Sequence, residues 1–216
     1  MPKDTFFNLP EDKRQAIIEL AIDEFAEHDY RNTSISRIVA RAGIAKGSFY
    51  QYFNDKQDLY LYLIELVGKE KIAFLSQVPL DPAQMGLFDY LRGLFKAGLG
   101  FQFANPRLAQ IAYRAVYSEA PLPDEVGALV KRSAAAYFRP LVIAAMQRGE
   151  MDPELDPELV AFLFNALLTH LGDFILERVS VSPEKLAAEG GGALDRPEVT
   201  RILEQVLRIM ERGTAR

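Results

Sequence analysis

The stretch RIVARAGIAKGSFYQYF, Arg37 to Phe53, decides how the rest of the chain is read. Its apolar residues Ile38, Val39, Ile44, Phe49 and Phe53 supply one buried side, and Gly43 interrupts them near the middle. Two short helices joined by three or four residues that include a glycine form a helix-turn-helix. Gly43 is placed to end the first helix in a left-handed conformation. Lys46, Gly47, Ser48, Tyr50, Gln51 and Tyr52 are left for the exposed side and first turn of the second helix. Such a helix can enter a major groove with its N-terminal residues toward base edges. Lys46, Ser48 and Gln51 suit base edges, and Gly47 permits close backbone approach. Tyr50, Tyr52 and Lys56 can reach phosphate oxygens, which position a domain without reading sequence. Thr33, Ser34 and Arg37, at the head of the preceding helix, complete the expected DNA-binding set. Spacing alone also fits a helical hairpin that binds nothing.

Charge sharpens this reading. The chain of 216 residues has a net charge of −5, which speaks against a uniformly basic nucleic-acid binder. Yet Arg31, Arg37, Arg41, Lys46 and Lys56 stand against Asp55 alone between positions 31 and 56. A +4 window thus sits in a body that is otherwise −9. That distribution suits a protein touching an anion with one end. There is no cysteine, which excludes disulfides, thiolate metal sites and a cysteine nucleophile and fits a cytoplasmic location. The two histidines, His28 and His170, are in no ligand-spaced motif, so no metal is expected. No cofactor motif and no catalytic residues are found: G-x-S-x-G, a phosphate loop after a strand and H-E-x-x-H are all missing. No 18-residue apolar run is evident, and no membrane span is expected.

Outward from the opening stretch, helical periodicity dominates. Ile18, Ala21, Ile22, Phe25 and Ala26 form one apolar stripe over 10–27, opened by Pro10 and the acids Glu11 and Asp12. Thr33 is expected to cap the helix over 34–42. Further helices fit 46–53, 57–76, 87–105, 107–118, 125–148, 157–178 and 197–212, separated by proline- and glycine-rich turns. The expected fold class is all-α, with about nine helices: an N-terminal helix-turn-helix domain over 9–56 and a larger helical domain over 57–213.

The segment AIIELAIDEFAEHDYRNTSISRIVARAGIAKGSFYQYFNDKQDLY, Ala16 to Tyr60, resembles the N-terminal domain of the TetR/AcrR family of bacterial transcription regulators. The likeness is carried by Phe25-Ala26-Glu27, Tyr30, Thr33-Ser34, Ile38-Val39, Ala42-Gly43-Ile44, Gly47, Phe49-Tyr50, Tyr52-Phe53 and Lys56. Two departures stand out. Asp29 replaces the glycine usual before Tyr30, and Ala45 replaces the Ser or Thr that usually caps the recognition helix. The resemblance implies binding of double-stranded operator DNA as a homodimer, usually repression, and release by a small-molecule effector held in the C-terminal domain.

In that larger domain the helix over 157–178 is apolar nearly all round, and the helix over 197–212 is wider than one stripe. Burial on two sides is implied. Leu163, Leu167, Leu171, Leu203, Val206, Leu207 and Met210 are the expected dimer interface. Phe95, Phe103, Tyr113, Tyr117, Tyr137, Phe162 and His170 are candidates for an effector pocket, whose aromatic character favours a lipophilic or aromatic ligand. Asn165, Thr169 and Asp173 line one helical face that could border the pocket, the dimer seam or solvent. Two rival readings are an all-α enzyme and a DNA-binding protein whose large domain only dimerises or binds a protein partner.

Overall fold

The structure is a computed structural model in which residues 2–117, 137–179 and 196–214 are described. All regular elements among them are helices: α1 (Asp4–Phe7), α2 (Glu11–Glu27), α3 (Ile35–Arg41), α4 (Lys46–Tyr52), α5 (Lys56–Leu75), α6 (Leu87–Ala104), α7 (Pro106–Tyr117), α8 (residues 137–147), α9 (Pro157–Val179) and α10 (Pro197–Thr214). The expected all-α class is what the structure has. Helix α1 lies outside the expected set, because its four residues are too few for a periodic pattern. The expected start of α8 near residue 125 and the turn containing Gly190 to Gly192 lie outside the described residues.

Two compact units divide the chain. The first comprises Met1–Ile72 and Arg107–Gly127, the second Ala73–Pro106 and Ala128–Arg216. The expected break at 56/57 lies where the motif stops and differs from this division. The physical reason is the core of the first unit. Ile17, Ile18, Ala21, Ile22 and Phe25 of α2 pack with Ile38, Val39, Phe49 and Phe53, but also with Leu59, Tyr60, Leu63 and Val67 of α5 and Ile111 and Ala115 of α7. The small helices α3 and α4 cannot close that core by themselves.

The second unit is built on Leu87, Leu91, Phe95, Leu99 and Phe103 of α6. They meet Phe138, Val142 and Ala145 of α8, Val160, Ala161, Phe164, Leu171 and Ile175 of α9, and Val199, Leu203, Leu207 and Met210 of α10. Helix α6 crosses α9 closely at Gly172, where a Cβ would collide with the Gln102 side chain. Gln102 Nε2 donates to Asp173 Oδ1 at 3.5 Å, so Asp173 borders this crossing. Asn165 is half-buried, and the Thr169 side chain lies outside the described ones.

This packing corrects several expectations. Leu171, Leu203, Leu207 and Met210, expected at a dimer seam, are spent on the unit's own core. Val206 is partly buried against that core, while Leu163 and Leu167 stay exposed. They continue along α9 as a stripe with Leu159, Phe162, His170 and Phe174. On α10 the exposed apolar residue is Ile209, 71% accessible. The expected pocket is also dispersed. Phe95 and Phe103 are core, Phe162 and His170 are on the exposed face of α9, and Tyr113 is an exposed residue of the first unit. The side chain of Tyr117 is outside the described ones. Tyr137 is half-exposed, with its hydroxyl against that of the buried Tyr90. Finally, α9 has the length and apolarity of a membrane span, with a mean hydropathy of 1.8, contrary to expectation. Its composition follows from burying one face in the unit and carrying the apolar stripe on the other.

Candidate nucleic-acid interface

The turn between α3 and α4 is a helix stop followed at once by a helix start. Gly43 has φ +64°. The amide of Gly43 donates to Ala40 O at 3.3 Å and that of Ile44 to Val39 O at 3.1 Å. These are the two reversed hydrogen bonds of a Schellman motif, which closes the last carbonyls of α3. Helix α4 then begins at Lys46, and its N-cap residue, Ala45, has no side chain that can make a cap hydrogen bond. The missing cap leaves α4 short of one N-terminal partner, at a local cost of about 1 kcal/mol.

Alternation within α4 sorts its residues. Phe49 and Tyr52 are buried, as is Phe53 just after it, whereas Lys46, Gly47, Tyr50 and Gln51 are exposed and Ser48 is half-buried. Positions 46, 47, 50 and 51 form one face of a helix. Lys46, Gly47, Tyr50 and Gln51 are thus on the exposed side, where the sequence leads one to expect them, and Ser48 is only partly exposed. Tyr52 differs. It is 7% exposed, with its ring 6.0 Å from that of Phe6, because the apolar contribution of α1 draws it inward.

The residues before α3 act mainly on the protein itself. Ser34, not Thr33, is the N-cap, and its hydroxyl accepts from the Arg37 amide at 3.4 Å. Thr33 is buried, and its hydroxyl donates to Asp29 O at 2.8 Å. Asp29, the residue in place of glycine, accepts from the Asn32 amide at 2.8 Å and from its side-chain nitrogen at 3.0 Å. The amide hydrogen bond of Asn32, ahead of opposing desolvation, holds its carboxyl below the usual range. Arg37 donates to both carboxylate oxygens of Glu24, at 2.9 and 3.1 Å, and to Asn32 O at 2.6 Å. Glu24 is 2% exposed and also accepts from the Ser34 amide at 2.8 Å. Burial works to raise its carboxyl, but hydrogen bonds from Arg37 and Ser34 outweigh this and leave it lowered.

Lys56 is the largest departure from expectation. Its ammonium donates to the carbonyls of Tyr30, Arg31 and Thr33 at 2.6, 3.3 and 3.0 Å and lies 4.6 Å from the Tyr30 ring centroid. Burial lowers its pKa. An ammonium has three donors, and all three are in use. The positive window thus overstates the charge available to DNA. Arg37 is paired with Glu24 and Arg41 with Asp23, both acids lying on α2 outside the window. Lys46 has no ion pair or hydrogen bond among the described residues. Lys56→Met is expected to lower the thermal midpoint of the protein while leaving the salt dependence of DNA binding unchanged. A slope of log K against log salt reduced by about one would return Lys56 to the phosphates.

Sequence reasoning missed two contributors. Glu24 reads as one acid on an amphipathic helix, and only the fold shows that it closes the start of α3. The segment 2–9, too short for a periodic pattern, packs Phe6 at 0% exposure against α4 and α5.

Comparison with known proteins agrees with this arrangement. Residues 17–63 match the profile described as "Bacterial regulatory proteins, tetR family". Residues 85–215 match "Tetracyclin repressor-like, C-terminal domain". The crystal structure of a TetR family transcriptional regulator from Chloroflexus aurantiacus J-10-fl is 50% identical. It covers 100% of this chain and 99% of its own, with a TM-score of 0.88. The HTH-type transcriptional regulator RutR of Escherichia coli K12 is 23% identical over 207 residues, 93% of this chain and 90% of that protein. FadR of Bacillus subtilis, crystallised with stearoyl-CoA, shares the fold at 18% identity and a TM-score of 0.63, covering 92% of this chain and 98% of its own. The chain belongs to the TetR family of DNA-binding transcriptional regulators.

Proposed function

We propose that the protein is a ligand-responsive cytoplasmic repressor that binds a palindromic operator as a homodimer through the exposed face of α4. The observation that carries this reading is the segregation within α4. Phe49, Tyr52 and Phe53 anchor it, and Lys46, Gly47, Tyr50 and Gln51 are presented together on the other side. Lys46 and Gln51 have the donors that major-groove base edges accept, and the Tyr50 hydroxyl suits a phosphate oxygen. Arg37 and Arg41, exposed on α3, can each share their guanidinium between an α2 carboxylate and the backbone of DNA. Gln51→Ala is expected to change base preference by roughly 1–3 kcal/mol at one position of each half-site. Lys46→Ala should do the same and lower the salt slope by about one. Binding measured across single-base variants of a selected duplex checks both. An even loss over all sequences for Gln51→Ala would remove it from base reading.

The second unit is the place for the effector. Its interior is rich in aromatic groups, with Phe95, Phe103, Phe138 and Phe164 in one cluster and the paired hydroxyls of Tyr90 and Tyr137 as a polar edge. A lipophilic or aromatic ligand fits that chemistry. It can release DNA only by binding the DNA-incompetent state better, and a hundredfold preference corresponds to about 2.7 kcal/mol. Operator DNA must then weaken ligand binding by the same factor. Equal affinity of an identified ligand for free and DNA-bound protein would exclude this form of control.

A further inference from the structure

An α-helix leaves its last four carbonyls without intrahelical partners. In α4 the carbonyl of Phe49 accepts from the Phe53 amide at 2.9 Å, which leaves those of Tyr50, Gln51 and Tyr52. All three are taken by one short segment far away in sequence. The Lys3 ammonium donates to Tyr50 O at 2.9 Å, the Thr5 hydroxyl donates to Gln51 O, and the Lys3 amide donates to Tyr52 O at 2.8 Å. Beneath them Phe6 is fully buried, 4.8 Å from the ring of Phe53. The ammonium also stands at the negative end of the helix dipole, where a cation is favoured.

We propose that residues 2–9 are a positioning element for DNA binding: Lys3 and Thr5 hold the C-terminal end of α4, anchored through Phe6. The idea rests on the reading of α4 as the DNA-contacting helix. Helix α4 has only seven residues and no side-chain cap at its start. A helix so short is marginal by itself, so its order depends on what closes its ends. Frayed at the C-terminal end, it would present Tyr50 and Gln51 in many orientations. Only the fraction of molecules with an ordered α4 then binds well, and apparent affinity falls with that fraction.

The test uses the full chain with Lys3→Met, Thr5→Val and both together, beside the conservative Lys3→Arg and Thr5→Ser. The DNA probe is the tightest duplex that the unmodified protein recovers from random-sequence DNA. Amide hydrogen exchange is followed without DNA. For the double variant, exchange should quicken at the α4 amides and stay unchanged in α2 and in the second unit. Affinity for the duplex should fall about tenfold, the effect of ordering α4 in roughly a tenth of molecules. The salt slope should stay the same, and the conservative pair should bind like the unmodified protein. Unchanged exchange at α4 with intact DNA binding overturns the proposal. So does faster exchange everywhere, which marks a general loss of stability. A slope lowered by about one with Lys3→Met, with Thr5→Val silent, overturns it in favour of a phosphate contact by Lys3. If the unmodified protein recovers no duplex, the DNA-binding reading itself fails and the positioning role falls with it.

Discussion

Phe162→Asp combined with Ile209→Asp is expected to leave the protein monomeric at micromolar concentration and to abolish specific DNA binding, with the helical content unchanged. Both side chains are largely exposed in the single chain, at 59% and 71%, so their loss costs little of its own stability. With Leu159, Leu163, Leu167 and Phe174, Phe162 makes an apolar stripe on α9 that water does not favour. Exposed apolar stripes of this extent mark interaction surfaces. Burial of one such side chain contributes roughly 1.5–3 kcal/mol. In a symmetric dimer each is buried twice, so the two substitutions remove ~6–12 kcal/mol. That is comparable to the whole ~8.2 kcal/mol of a micromolar complex. Leu203→Asp makes the contrast. Leu203 is 1% exposed within the second unit's core, so an aspartate there should lose the fold as well as the dimer. Light scattering and circular dichroism on the variants distinguish the two outcomes. A dimer that survives Phe162→Asp with Ile209→Asp would place the interface elsewhere.

The second large effect is at Glu24. Glu24→Ala is expected to destabilise the first unit by roughly 2–3 kcal/mol and to weaken DNA binding more than its distance from α4 would imply. The Ser34 amide loses its acceptor, Arg37 loses its carboxylate, and α3 loses the tie to α2 that sets its start. The lowered carboxyl pKa of Glu24 gives a pH signature. A carboxyl lowered in the folded state stabilises above its unfolded pKa, and the contribution disappears as pH falls through the folded value. The stability advantage of the native protein over Glu24→Gln should therefore be full above about pH 4.3 and shrink below it. Urea unfolding of both proteins across this range is the measurement. An advantage independent of pH would deny the pair its electrostatic part.

Legibility from sequence followed the range of the interactions. The stripe Ile18, Ala21, Ile22 and Phe25 predicts α2, and those residues are buried. Gly43 predicts the turn, and it has the positive φ that the turn requires. Both depend on neighbours within a few residues. The charge of Lys56 suggests a phosphate, whereas its partners in the fold are three carbonyls 23 to 26 residues earlier. The burial of Tyr52 is not legible in α4 itself, because Phe6, which packs on it, precedes the periodic region. For α9 and α10 the composition shows that two faces are apolar, but not which face meets the chain's own core. Leu203 and Ile209 are equally apolar in sequence and opposite in burial. Phe95 and Phe162 are both aromatics on helices, and the packing of those helices, not their sequence, separates one from the other.

The most direct test of DNA reading by α4 in a dimer is selection from random-sequence duplex DNA, by the unmodified protein and by the variant carrying Lys46→Ala and Gln51→Ala. The unmodified protein should enrich an inverted repeat whose half-site centres are about one helical turn apart, roughly 10–10.5 bp, or a multiple of it. The variant should lose information at the same few positions in both half-sites. No enriched motif, or the same motif at full strength from the variant, would contradict the assignment of α4 as the element that reads DNA.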